Sequence, residues 1–277
     1  MDKLDAVLAA PDRTILALDF DGTLAPIVPD PDRAFADPVA IAALRRLSPL
    51  LLRVAVVTGR PALKAVELGS LAGGAGLEHL IVMGQYGIER WEASSGEVVA
   101  PALPEEIIAV KEALPALLAA AGHPDAWIED KGRAVAVHTR RLADPAVAQA
   151  DLSEPVQRLA EEHGLRVEPG KNVLEIRAGG FDKGDAIRDL VQRFDPATVV
   201  YAGDDLGDLA AYDAVAALAE EGRTPVLVFP RMPGEDSPLA DRADIILEGT
   251  DGMAEWLTVL ADRLETRRET SPDPLES

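Results

Sequence analysis

Apolar residues fall into short, nearly continuous runs toward both ends of the chain: Thr14–Asp19, Arg53–Thr58, His79–Gly84, Ala197–Ala202, Pro225–Phe229 and Ala243–Leu247. Such runs are the pattern of strands covered on both faces. Helical patterns fit between and after them at Pro38–Leu47, Pro61–Leu68, Lys183–Arg193, Leu206–Leu218 and Gly252–Leu264. This alternation predicts βαβ units and an α/β fold, a Rossmann-like, mostly parallel sheet with helices on both faces. Asp37, followed by Pro38 at the first helical position, is an expected N-cap, and Asp251 is another.

The middle of the chain has a different rhythm. Between Glu105 and Arg177, two long helices, Glu105–Ala121 and Pro145–His163, alternate with strands at Ala126–Asp130, Ala134–Thr139, Leu165–Glu168 and Val173–Arg177. Lys131-Gly132 reads as a hairpin turn, so these strands are expected to be antiparallel. An α+β stretch interrupting an α/β pattern is most simply an inserted domain. The expected organisation is a core of residues 1–104 and 178–264, a smaller inserted α+β domain of residues 105–177, and a polar tail of residues 265–277 that reads as disordered. No internal repeat is evident.

Composition narrows the class. With 48% hydrophobic and 27% charged residues over 277 positions, the chain has the balance of an ordinary globular protein. Its longest apolar runs, Leu50–Val57 and Leu114–Ala121, are interrupted by Arg53 and Pro115 and fall short of the about 20 residues a membrane-spanning helix needs. Met1–Asp12 carries Asp2 and Asp5 and lacks a basic leader, so a cytoplasmic location is expected. Cysteine is absent, which restricts any metal to oxygen or imidazole ligands. The four histidines, His79, His123, His138 and His163, show no zinc-ligand spacing. A formal charge of −21 argues against nucleic acid and anionic membranes as partners. An anionic substrate would need a locally positive site, supplied by a metal ion and a few fixed cations.

Candidate chemistry begins at the end of the first predicted strand, in Asp19-Phe20-Asp21-Gly22-Thr23-Leu24. Open α/β sheets bind ligands beyond the carboxyl ends of their strands. Two carboxylates two residues apart point the same way while Phe20 turns inward. One can serve as nucleophile and metal ligand and the other as general acid and base, the division that phosphoryl transfer through an acyl phosphate needs. Thr58-Gly59-Arg60 then places a hydroxyl and a free N–H at a helix start, a good receptor for a phosphate oxygen. Lys183-Gly184 offers a cation at another helix start, and Gly203-Asp204-Asp205-Leu206-Gly207-Asp208 puts more carboxylates after a later strand. Each signal alone is weak, but their order, each at a strand or helix terminus, is strong.

In these motifs the chain resembles phosphatases of the haloacid dehalogenase superfamily. The resemblance implies Asp19 as nucleophile, Asp21 as acid and base, and Thr58 and Lys183 as the phosphoryl-binding pair. It implies magnesium held by Asp19, the Asp21 carbonyl and Asp204, with Asp208 and Asp205 orienting metal waters and Lys183. It also makes the inserted domain a substrate-selecting cap. A narrower resemblance, to trehalose-6-phosphate phosphatases, rests on Val57-Thr58-Gly59-Arg60, Gly84-Gln85-Tyr86-Gly87-Ile88-Glu89, Glu129-Asp130-Lys131, His138-Thr139-Arg140 and Gly170-Lys171-Asn172-Val173-Leu174-Glu175-Ile176-Arg177. It implies hydrolysis of trehalose 6-phosphate as the last step of trehalose synthesis, with Glu129, Lys131 and Glu175 binding sugar hydroxyls and functional pairing with trehalose-6-phosphate synthase. Gly207, Leu209, Tyr86 and Ala178 depart from that family's usual residues. The alternatives are a phosphatase for another sugar phosphate, such as sucrose 6-phosphate or mannosyl-3-phosphoglycerate, and a catalytically silent sugar-phosphate-binding module. Gly59 and Arg60 are candidate substrate contacts, with completion of the helix start as the other reading of Arg60. His138 reads as a structural or supporting residue, and Trp127 as packing or a sugar-facing ring.

Overall fold

The computed structural model describes residues 3–73, 75–178, 181–232, 234 and 237–270. The chain opens with α1 (Lys3–Ala9), β1 (Thr14–Leu18), α2 (Pro38–Leu47), β2 (Arg53–Val57), α3 (Ala62–Leu68), β3 (Leu80–Gly84), β4 (Glu89–Glu92) and β5 (Val98–Val99). It continues with α4 (Glu105–Ala120), β6 (Trp127–Asp130), β7 (Ala134–His138), α5 (Pro145–Glu162), β8 (Leu165–Gly170) and β9 (Val173–Ala178). The last part holds α6 (Lys183–Phe194), β10 (Thr198–Ala202), α7 (Leu209–Ala217), β11 (Thr224–Arg231), β12 (Ile245–Glu248) and α8 (Gly249–Thr270). Two compact units result, one of Met1–Ala100 with Asp182–Ser277 and one of Pro101–Phe181.

The first unit is built on an eight-stranded sheet of order β12-β11-β10-β1-β2-β3-β4-β5. Strands β12 through β3 are parallel to their neighbours, and β4 and β5 add antiparallel at one edge. Alternate residues of each strand serve opposite faces. Leu16, Leu18, Val54, Val56, Val200 and Val228 join a core with α2, α3 and α8. Ile15, Ala17, Ala55, Val57, Tyr201 and Phe229 join another with α6 and α7. Both faces are therefore apolar, which is why these strands are continuous apolar runs. Because Leu18 pairs with Val56 on one side and Ala202 on the other, the residues that follow β1, β2 and β10 leave the sheet at one edge.

Asp37 caps α2 as expected, accepting from the N–H groups of Val39 and Ala40. Three short elements, α1, β4 and β5, lie outside the sequence expectation. Asp251 is not a cap, since α8 starts at Gly249 and encloses it in the first turn. The expectation of disorder from residue 265 is also corrected for residues 265–270, which continue α8. Arg46 of α2 holds Glu265 and Asp262 at 2.5 and 2.6 Å, and Leu264 is buried beside them, so a tertiary ion pair extends a helix whose local composition reads as solvated. Residues 271–277 lie outside the described residues. No helix among the described residues is long and apolar enough to cross a membrane.

The second unit is a four-stranded antiparallel sheet, β6-β7-β9-β8, with α4 and α5 on one face. Val135, Val137, Leu174 and Ile176 pack there against Ile107, Leu114, Leu152 and Val156. The alternate residues, among them Trp127, Glu129, Ala136, His138 and Glu175, lie on the opposite face. The β6–β7 turn falls at Gly132, whose φ of +75° suits glycine, with Asp130 accepting from its N–H. The unit runs further at both ends than residues 105–177. Arg133 donates to the carbonyls of Pro101 and Ala102, and Arg177 to that of Phe181, tying those flanks to the sheet.

Candidate active site

The carboxyl end of β1 passes directly into the site. The Asp19 N–H still donates to the Ala202 carbonyl at 2.8 Å, so Asp19 is fixed by the sheet ladder, and Phe20 is buried in the core. Gly22 then turns the chain at φ +77°, where a Cβ would lie 2.0 Å from a carboxylate oxygen of Asp204. Only glycine satisfies both demands. The loop after β1 thereby lies against the loop after β10.

Lys183 is the first residue of α6, whose start is closed by reciprocal capping between Asp182 and Asp185. Its buried ammonium sits 2.8 Å from Asp19 Oδ1 and 2.7 Å from Asp208 Oδ1. The same Asp208 oxygen accepts from the Tyr201 hydroxyl at 2.5 Å, and Asp208 Oδ2 accepts from the Asp205 N–H. Asp19, Asp204 and Asp208 each bring a carboxylate oxygen within 4.8 Å of the others. Among them, Asp204 Oδ1 is buried with no hydrogen-bond partner. An orphaned carboxylate oxygen beside a second buried carboxylate suits a hard divalent cation, so the residues present fit such an ion.

The electrostatics carry the same message. Burial pushes the Asp19 carboxyl well above its ordinary range; Lys183 opposes this, and Asp208 and Asp204 add to it. Burial alone would lower the Lys183 ammonium, but Asp19 and Asp208 outweigh it and hold it well above its ordinary value. Asp204 is pushed up to about 8 by burial, then by Asp208 and Asp205. Asp205 is raised by burial and Asp208. The Tyr201 phenol is raised well above its usual value by burial and Asp208, so it remains a donor. Three buried carboxylates share one buried ammonium, and the shortfall in positive charge is what a bound cation would relieve.

At the end of β2, the Thr58 hydroxyl accepts from the Arg60 N–H at 3.1 Å, and the Tyr86 ring crowds Gly59 so closely that a Cβ would lie 2.7 Å from its hydroxyl. Arg60 grips Asp21 with both ends of its fork, Nε to Oδ2 and Nη2 to Oδ1, each at 2.7 Å. Its partner in this structure is thus the second carboxylate of the Asp-x-Asp pair. Asp205 caps the turn before α7, accepting from Gly207 N–H. Of the metal set expected from the sequence, the side chains of Asp19, Asp204 and Asp208 converge, whereas those of Asp21 and Asp205 are engaged with Arg60 and the turn. Tyr201 went unnoticed in the sequence. Its one signal is a hydroxyl-bearing ring inside the apolar run that leads to Gly203-Asp204.

On the polar face of the second unit's sheet, Lys131 Nζ lies 2.6 Å from Glu175 Oε2 and 4.0 Å from Glu129 Oε2, so these three expected residues come together. His138, expected to be a structural or supporting residue, hydrogen-bonds Glu129 at 2.7 Å.

A trehalose-phosphatase family model matches residues 17–242. The trehalose-phosphate phosphatase of Mycobacterium marinum is 32% identical over 267 residues, covering 92% of this chain. The chain belongs to the trehalose-phosphatase family. It spans 63% of the length of that relative. Among solved structures, the C-terminal domain of Candida albicans trehalose-6-phosphate phosphatase superposes with a TM-score of 0.73 at 22% identity, over 95% of this chain and 97% of that one. A haloacid dehalogenase-like hydrolase from Bacteroides thetaiotaomicron gives 0.61 at 18% identity, over 89% and 99%. These two likenesses establish the fold that trehalose-phosphatase family members share with haloacid dehalogenase-like hydrolases.

Proposed function

We propose that this chain is a magnesium-dependent phosphatase that hydrolyses trehalose 6-phosphate to trehalose and phosphate. The observation that carries the chemistry is the buried ion pair between Asp19 and Lys183 at the carboxyl end of β1. A carboxylate so held is aimed, and the ammonium that aims it also neutralises an incoming phosphoryl group. Membership of the trehalose-phosphatase family supports the substrate.

In this reading an Asp19 oxygen attacks phosphorus, the bond from phosphorus to the sugar oxygen breaks, and Asp21 gives that oxygen its proton. Asp21 then takes a proton from water, which attacks the aspartyl phosphate and releases phosphate with Asp19 restored. Both Asp21 oxygens rest on Arg60 here, so its role requires it to exchange one of those bonds for the leaving oxygen. Thr58 and Lys183 bind the phosphoryl oxygens. Tyr201 and Asp208 keep Lys183 in place. Asp19 and Asp204, with its orphaned oxygen, would hold the magnesium ion, which supplies further neutralisation of phosphoryl charge. Glu129, Lys131 and Glu175 of the second unit bind sugar hydroxyls, a task suited to side chains that together donate and accept.

The test measures phosphate release, with magnesium, from trehalose 6-phosphate, sucrose 6-phosphate, mannosyl-3-phosphoglycerate and p-nitrophenyl phosphate. Trehalose 6-phosphate should show the highest kcat/KM, and Asp19→Asn should lose about a thousandfold or more in turnover. Preference for another sugar phosphate would overturn the substrate, and substantial turnover by Asp19→Asn would overturn the acyl-phosphate chemistry.

A further inference from the structure

Beside the Lys131–Glu175 pair, the sheet of the second unit holds a line of hydrogen bonds with no part in the chemistry above. Its centre is His138, 3% exposed. The ring's Nε2 lies 2.7 Å from Glu129 Oε2 and its Nδ1 lies 2.9 Å from Arg140 Nη2. Arginine has donors only, so Nδ1 must accept, which places the ring proton on Nε2 and directs it to Glu129. The ring is also held from its face. Trp127 stacks on it with centroids 4.6 Å apart and planes 25° from parallel, and Arg141 lies over Trp127 at 4.4 Å. Position, orientation and tautomer of the imidazole are all set by neighbours.

We propose that His138 is a positioning residue for sugar recognition: its Nε2–H fixes Glu129 so that the carboxylate's other oxygen is presented to a sugar hydroxyl. The proposal rests on the reading that Glu129 binds sugar. A glutamate on a strand has three free torsions, and a hydroxyl acceptor is useful to the extent that it is held before the ligand arrives. The same bond, opposing burial and aided by Lys131, holds Glu129 below the usual carboxylate range and so keeps it an acceptor. Ala136 of β7 lies directly opposite both Glu129 of β6 and Glu175 of β9, and Lys131 Nζ reaches over it toward the two carboxylates.

The experiment is a double-mutant cycle on the full chain with trehalose 6-phosphate and p-nitrophenyl phosphate as substrates. His138→Phe keeps a flat ring for Trp127 and removes both hydrogen bonds, whereas His138→Gln retains a donor toward Glu129. For His138→Phe we expect kcat/KM on trehalose 6-phosphate to fall about tenfold, or about 1.4 kcal/mol, mostly through KM and about fivefold more than on p-nitrophenyl phosphate. His138→Gln should recover at least half of that loss on a logarithmic scale. In a Glu129→Ala background His138→Phe should cost less than about twofold more, since a residue acting through Glu129 has nothing left to position. Should His138→Phe not fold, Arg140→Met, which frees Nδ1 and with it the tautomer, enters the same cycle with a loss of about threefold expected. Additive losses, equal losses on both substrates, or His138→Gln as poor as His138→Phe would overturn the proposal alone. A Glu129→Ala variant within about twofold of wild type on trehalose 6-phosphate would instead overturn the sugar-binding reading of Glu129, and the proposal with it.

Discussion

Replacing Asp204 by asparagine should stabilise the protein once metal has been stripped with EDTA, and should do so more at about pH 8 than at about pH 5. Asp204 is buried, one of its oxygens has no partner, and its pKa is raised from 3.8 to about 8 by burial and then by Asp208 and Asp205. Between those two values the folded protein keeps a proton that the unfolded chain has released. Stability therefore falls as pH rises through that window. At about 1.36 kcal/mol per unit, the raised pKa costs under about 2 kcal/mol at pH 5, roughly 4 at pH 7 and about 5 at pH 8, where the folded group is half ionised. Relaxation of the site and entry of water offset about half of this cost, so about 2–3 kcal/mol should be regained at pH 8. Asparagine, which carries no charge, escapes this cost. For a chain of this size the gain corresponds to roughly 5–10 °C in Tm. The measurement is calorimetry of wild type and Asp204→Asn in EDTA across that pH range, repeated with excess magnesium. On the proposal that Asp204 holds magnesium, the ion should reverse the order, because an ion that binds only the folded site stabilises wild type by mass action and the variant would lack that ligand. A variant less stable than wild type at pH 8 in EDTA, or a difference that does not widen between pH 5 and pH 8, would refute the reasoning.

Asp21→Asn should slow hydrolysis of a sugar phosphate far more than that of p-nitrophenyl phosphate, whose leaving group needs no proton; equal losses, with dephosphorylation shown not to limit either, would contradict the general-acid role. Gly22→Ala should destabilise by more than the about 1–2 kcal/mol that a left-handed backbone alone imposes on a side chain, because its Cβ would fall 2.0 Å from the Asp204 carboxylate. Thermal unfolding of that variant within a degree of wild type would show that the two loops do not press together as described.

Much of this could be read from the sequence because the relevant physics is local. Strands covered on both faces must be apolar throughout, so β1, β2, β3, β10 and β11 are visible as runs, and the polar residues that follow three of them stand out as candidates. These are Asp19, Thr58 and Asp204. The Lys131–Glu175 pair lies between residues far apart in sequence, and only the resemblance to a family put them together. The partner of Arg60 was not legible, since an arginine at a helix start can reach several groups and its choice of Asp21 depends on how the loop after β1 folds. Tyr201 was hidden because a buried tyrosine in a strand reads as packing until its hydroxyl is seen to meet Asp208. The end of α8 was missed for a similar reason: its stability comes from Arg46 on another helix, not from its own polar sequence.

The strand order has a consequence for how the protein comes into being. β1 has β2 on one side and β10 on the other, and every residue of Pro101–Phe181 is translated between those two flanking strands. The second unit is continuous in the chain and can complete its sheet from its own residues, while the first must hold its early strands in waiting, with an unpaired edge at β1, until β10 leaves the ribosome. Lys183, Asp204 and Asp208 all arrive after that interval. A nascent chain that has already finished its smaller unit therefore still lacks the cation that holds Asp19, and the proposed catalytic centre comes into existence only with the closing of the last gap in the sheet.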